Sequence, residues 1–185
     1  MKYSRALLAA TACACLTFFG ASAVASTPTA ANKQAEPKAT YGQIIFYNGK
    51  GEKHCMLSVP ETKQTFNLAD GSQSCTENHA ASFSLENIPS ATLIQFYENQ
   101  SCSDSKVKGN FFVKLKTVKQ PTDWSSPSPN PPATMHFNDF RKLDPSYLVP
   151  KKFIRIEDRW PVPDVNEDWD ELISCVYIER SQPVY

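Results

Sequence analysis

The sequence predicts an all-β fold, an antiparallel sandwich or Greek key built from short strands and stapled by disulfides. Three observations carry that expectation. Residues 43–48 (QIIFYN) return as residues 93–98 (LIQFYE), so a strand and the turn after it are written twice. Several other segments alternate apolar and polar residues with a period of two, and no segment has a convincing helical period. Four singly spaced cysteines remain once the first residues are set aside as an export signal.

That signal is residues 1–25. Lys2 and Arg5 form a basic start, residues 6–20 an apolar stretch too short to span a bilayer comfortably, and Ala23-Val24-Ala25 a small-x-small cleavage site. The expectation is a secreted or periplasmic protein with Ser26 as its first residue and no transmembrane span after cleavage. Cleavage removes Cys13 and Cys15 and keeps Cys55, Cys75, Cys102 and Cys175, an even number in an oxidising compartment. Without Lys2 and Arg5 the 19 basic residues fall to 17 against 19 acidic ones, so the mature chain is near −2. No basic excess is left to neutralise a phosphate backbone, which argues against nucleic acid as a partner.

Residues 26–40 hold no aromatic or large aliphatic side chain and read as a disordered leader. Residues 41–119 form the duplicated β domain. Its first repeat strand (43–48) enters the turn Asn48-Gly49-Lys50-Gly51 and returns over residues 54–59, ended by Pro60. Residues 64–68 are a short strand before the turn Asp70-Gly71-Ser72. Residues 82–88 alternate, with Phe83 and Leu85 inward and Ser84 and Glu86 outward. The second repeat strand (93–98) runs into the turn 99–102. Residues 111–118 alternate again, Val113 and Leu115 against Lys114 and Lys116.

Residues 120–134 carry five prolines and read as a semi-rigid connector. Residues 135–185 form a C-terminal β extension, with strands at 153–157 and 172–178 and one helical turn near 139–143. Two strands alone make a poor core, so the extension is expected to pack on the repeat domain.

Phe46-Tyr47-Asn48-Gly49 and Phe96-Tyr97-Glu98-Asn99 resemble the aromatic openings of Greek-key motifs in the βγ-crystallin family. Ser82 and Ser84 fall where that family carries its serine-bearing strand. The likeness spans about residues 41–118. Where the family has a second aromatic and then a glycine, this chain has Glu52 and His54 in the first copy and Cys102 and Asp104 in the second. The resemblance implies a crystallin-like Greek-key sandwich and, from secreted bacterial relatives, an inhibitor or toxin-like protein. With Cys102 standing at the family's aromatic corner, and the strands at 82–88 and 93–98 paired or in facing sheets, the expected disulfides are Cys75–Cys102 and Cys55–Cys175.

The family's calcium pattern maps onto Glu77, Asn78 and Ser82, with Ala81 where a hydroxyl belongs. A second acidic stretch places Asp164, Asn166 and Asp168 at the spacing of an EF-hand loop, with Trp169 in place of the turn glycine and Cys175 in place of the last glutamate. Each candidate lacks something that a site of six to eight oxygens needs. The expectation is no cofactor, with calcium bound weakly or not at all.

No histidine has an evident catalytic partner. His54 abuts Cys55, but neighbours on a strand face opposite ways, and His79 and His136 stand in polar stretches. Trp124, Trp160 and Trp169 lie near proline or acidic turns and are either a contact surface or the cover of an open sandwich end. The leading reading is a secreted, non-catalytic module that binds an extracellular protein through loops on a rigid scaffold. A lectin-like domain binding a glycan or small ligand through the tryptophans is the alternative, and a secreted hydrolase ranks third.

Overall fold

The computed structural model describes residues 41–125, 133–161 and 168–181. The expected signal peptide and leader lie outside the described residues, as do residues 126–132 of the connector and Asp164 and Asn166. Among the described residues ten strands form two antiparallel sheets, with only short 3₁₀ turns at Leu68–Asp70, Ser72–Ser74 and Phe137–Lys142. The strands are β1 (Gln43–Tyr47), β2 (Lys53–Ser58), β3 (Lys63–Asn67), β4 (Ser82–Glu86) and β5 (Thr92–Tyr97). There follow β6 (Phe112–Thr117), β7 (Met135–His136), β8 (Leu148–Val149), β9 (Ile154–Trp160) and β10 (Cys175–Arg180). None of the described helices is long and apolar enough to cross a membrane.

The four-stranded sheet has the order β2-β1-β4-β7 and the six-stranded sheet β3-β10-β5-β6-β9-β8. The two repeat strands therefore occupy like positions. β1 lies between its hairpin partner β2 and β4, and β5 lies between its hairpin partner β6 and β10. Each sheet also takes a strand from the other half of the chain: β3 pairs with β10, and β7 with β4. The C-terminal strands are thus sheet members rather than a separate hairpin, β10 being hydrogen-bonded on both edges.

Alternation sets the core. Ile44 and Phe46 from β1, Phe83 and Leu85 from β4, Ile94 and Phe96 from β5, and Val176 and Ile178 from β10 are all fully buried between the sheets. Phe83 is the hub, its ring 4.8 Å from Phe96 and 5.5 Å from Trp124, with Phe137 and Phe140 stacked at 5.4 and 6.0 Å. Burying a side chain of this kind contributes about 1.5–3 kcal/mol. The 3₁₀ turn holding Phe137 and Phe140 is thereby fixed over the core. Ser84 departs from expectation: it points away from Phe83, yet it is buried, because the Tyr47 hydroxyl reaches it at 3.3 Å. Entry into β1 requires glycine. Gly42 has φ +93°, and a Cβ there would meet the Glu86 carbonyl oxygen at 2.4 Å.

The disulfides correct the expected pairs. Cys55 is bonded to Cys75 and Cys102 to Cys175. The reason is which face each cysteine occupies. Cys55 pairs in register with inward Phe46, and the 3₁₀ turns after β3 dock on the β2 edge through Ser58 N–H donating to Gln73 Oε1, bringing Cys75 alongside. Cys175 precedes inward Val176 and so faces out of the six-stranded sheet. There it meets Cys102 in a small outer cluster with Tyr97 and Phe112. Cys55 and Cys75 belong to the core cluster between the sheets, whereas Cys102 and Cys175 lie on the outer face of the six-stranded sheet, so neither expected pair forms.

Candidate functional site

The chain between β5 and β6 is long and polar (residues 98–111), and it is held at many points. Asn99 Oδ1 accepts from the amide and hydroxyl of Ser101, and the Cys102 amide donates to the Asn99 carbonyl. The Cys102–Cys175 bond anchors this turn to β10. Further along, Asn110 Nδ2 donates to the carbonyls of Ser103 and Ser105 at 3.2 and 2.6 Å. Trp160 Nε1 donates to the Val107 carbonyl at 3.0 Å, and ion pairs join Lys106 to Asp158 and Lys114 to Asp104. Lys114, by hydrogen bond and by charge, holds the Asp104 carboxyl below its ordinary range.

Opposite this loop stands the turn Glu77-Asn78 that leads into β4. The Asn78 amide donates to the Ile173 carbonyl, and Ser174 Oγ donates to Asn78 Oδ1 at 3.2 Å. Gln100 Nε2 closes one end by donating to Glu77 Oε2 at 2.7 Å. Between loop and turn lies an open polar groove of about 760 Å³, within the range of ligand-sized sites. Glu77, Asn78, Glu98, Asn99, Gln100 and Asn110 line it, together with Ser174 from the chain just before β10. Asn110 is buried, and among the described residues its enclosed Oδ1 has no hydrogen-bond partner.

A related contact stands in the other half. The Gly49 amide, in the β1–β2 hairpin, donates to Glu171 Oε1 at 3.0 Å. In both halves, a carboxylate from the stretch before a returning strand grips the hairpin of the opposite half.

Of the residues singled out for calcium, Glu77 and Asn78 share the groove. Ser82 is buried on β4, paired with Tyr47 and His136, and is not part of the groove lining. Asp168 stands elsewhere. Its carboxylate accepts from Asn138 Nδ2 at 2.7 Å and from the Asp170 amide, and these bonds keep it below the usual aspartate range. Asp164 and Asn166 lie outside the described residues. Among the described residues no group of three or more His, Cys, Asp or Glu is placed to hold a metal ion.

The tryptophans do not form a surface platform. Trp169 is buried and stacks on Phe111 at 4.8 Å, and Trp124 is buried against Phe83 with Nε1 donating to the Lys152 carbonyl. Both cover the sandwich interior. Trp160 alone is part-exposed, and it braces the groove loop through Val107. His54 and His79 stack at 5.2 Å, and His136 Nδ1 lies 3.3 Å from Asp170.

Asn99, Gln100 and Asn110 were not among the residues singled out from the sequence. The available signal was the length of the polar run 99–110, since a long ordered loop in a compact domain is commonly functional. Comparison of the chain with protein-family models, curated proteins and solved structures finds no match.

Proposed function

We propose that this protein is a secreted, disulfide-stapled binding module that engages an extracellular protein through the groove between the Glu77-Asn78 turn and the 98–110 loop, without catalysing a reaction. One observation carries the reading: both walls of the groove are tied in place before any ligand arrives. The loop is fixed by a disulfide, two ion pairs and the Trp160 bond, and the turn by Asn78 to the chain before β10. Pre-organised walls lower the ordering cost of association, which is how rigid loops gain affinity from modest area. The two disulfides suit the oxidising compartment that the sequence implies.

The strand order supports the resemblance to βγ-crystallin-like Greek keys. β4-β1-β2 and β10-β5-β6 each follow the fourth-first-second order of such a motif, with the third strand, β3 or β7, exchanged into the facing sheet. The glycan reading loses its main support, because two of its three tryptophans are buried.

The test is capture from extracellular protein fractions, run beside a glycan array. Ser105 lines the groove and is exposed, so Ser105→Arg fills it without touching the backbone carbonyl that Asn110 uses. The expected result is a specific protein captured by the native chain and lost with S105R. Glycan binding that survives S105R, with no protein captured, would overturn the proposal.

A further inference from the structure

We infer that Asn48 is this chain's site of spontaneous deamidation, and that Glu171 holds it unreactive by gripping the amide next to it. The sequence contains one Asn-Gly pair, Asn48-Gly49, at the tip of the β1–β2 hairpin. Glycine after asparagine leaves the backbone nitrogen open to the asparagine side chain, because no Cβ stands in the way. In the reaction the Gly49 nitrogen gives up its proton and bonds to Asn48 Cγ, and Nδ2 leaves as ammonia. Water then opens the cyclic imide at either carbonyl, leaving aspartate or isoaspartate.

Burial does not protect the pair, since Gly49 is exposed. What opposes the reaction is that both reacting groups are engaged. The Gly49 amide donates to Glu171 Oε1 at 3.0 Å, so the proton that must leave is bonded to a carboxylate. A negative charge there also disfavours the amide anion through which attack proceeds. The Asn48 side chain is held on both of its polar atoms. Its Oδ1 accepts from the amides of Lys50 and Glu52 at 3.0 Å each, and its Nδ2 donates to Glu52 Oε2 at 2.9 Å. These bonds resist the rotation that would bring Cγ against the Gly49 nitrogen. Glu171 is itself fixed, its own amide donating to the Ala80 carbonyl at 2.9 Å. The lock therefore belongs to the fold and not to the hairpin alone, and Asn48 is released when Glu171 lets go. Deamidation is not undone by reclosing. An aspartate at position 48 sets a carboxylate against Glu52 where an amide donor stood, and isoaspartate adds a carbon to the backbone of the turn that presents Gly49.

The experiment incubates the full disulfide-bonded protein at mildly alkaline pH and locates amide-to-acid conversion by peptide mapping with mass spectrometry. The same protein, reduced and held in denaturant, is followed beside it. Asn48 is expected to convert slowly in the native chain and about tenfold faster in Glu171→Ala, the change that one hydrogen bond to a charged group supports. In the denatured chain Asn48 is expected to convert faster still, and ahead of every other asparagine. Hydrogen exchange at the Gly49 amide is expected to be slow for an exposed turn and to quicken in E171A. The comparison of native with denatured protein needs no substitution and stands even if E171A disturbs the stretch before β10. An unchanged rate at Asn48 in E171A would overturn the inference. So would a slower one, which would make Glu171 the base that takes the Gly49 proton. Equal rates at Asn48 in native and denatured protein, or earlier conversion of another asparagine in the denatured chain, would also overturn it.

Discussion

Glu77 accepts a hydrogen bond from Gln100 at 2.7 Å, joining the turn before β4 to the hairpin loop after β5. Glu171 does the same with Gly49 in the opposite sense. The duplication seen in the sequence thus reappears as two reciprocal contacts, each tying one half of the chain to the other. Only beside Glu77 does the hairpin loop run long enough to add a second groove wall.

Peptide mapping without reduction should recover Cys55 linked to Cys75 and Cys102 linked to Cys175. The loops they close span 20 and 73 residues, so chain entropy assigns about 3 and about 4 kcal/mol respectively. Paired Cys→Ser variants measured by denaturant unfolding should show the larger loss for Cys102/Cys175. A larger loss for Cys55/Cys75 would mean that the outer clasp on β10 contributes little.

Phe83→Ala should destabilise the domain by about 3–5 kcal/mol, the range for emptying a buried aromatic site. Four rings surround Phe83: Phe96 of the facing sheet, Trp124 from the chain after β6, and Phe137 and Phe140 of the 3₁₀ turn over the core. Equilibrium unfolding checks this, and a loss below about 1 kcal/mol would show that the neighbours collapse into the gap.

Much of this was legible in the sequence, for physical reasons. Strands at β4, β6 and β9 announce themselves because one face is apolar and the other polar. β7 and β8 are two residues each and carry no period to detect. β10 begins later than alternation suggests, because Leu172 and Ser174 line the groove ahead of it and the Ser174 amide donates to the Tyr97 carbonyl. The disulfides were misread because a cysteine's partner depends on its sheet and face, and the exchange of β3 and β7 is invisible locally. Trp124 and Trp169 look exposed beside polar turns, yet Phe83 and Phe111 offer them rings to stack on. The groove was half visible: Glu77 and Asn78 stood out, but Asn110 reaches them only through the fold.

Tyr97 gives a test at high pH. Burial foremost, with Asp104 and then Tyr177 adding charge, pushes its phenol up from an ordinary 10 to about 12. The folded state holds this proton more tightly than the unfolded chain. Its stabilising effect is therefore complete below pH of about 10 and is lost as pH rises toward about 12. Tyr177 is also pushed up, first by its hydrogen bond to Glu179, so ultraviolet titration should find late-ionising phenols of which one is lost in Tyr97→Phe. The variant should also show a shallower loss of stability across that interval. An unchanged titration in Y97F would place the late proton on another tyrosine.

The most direct measurement for the groove is site-specific photo-cross-linking. A photoreactive side chain placed at Asn99 stands in the groove, and one at Ser58 stands at the far end of the four-stranded sheet, beside Gln43 and Glu86. Each protein is exposed to the extracellular fraction of its own source and irradiated. The expected result is a discrete protein adduct from position 99 and none from position 58. Adducts from position 58 with none from position 99 would contradict the groove as the binding surface.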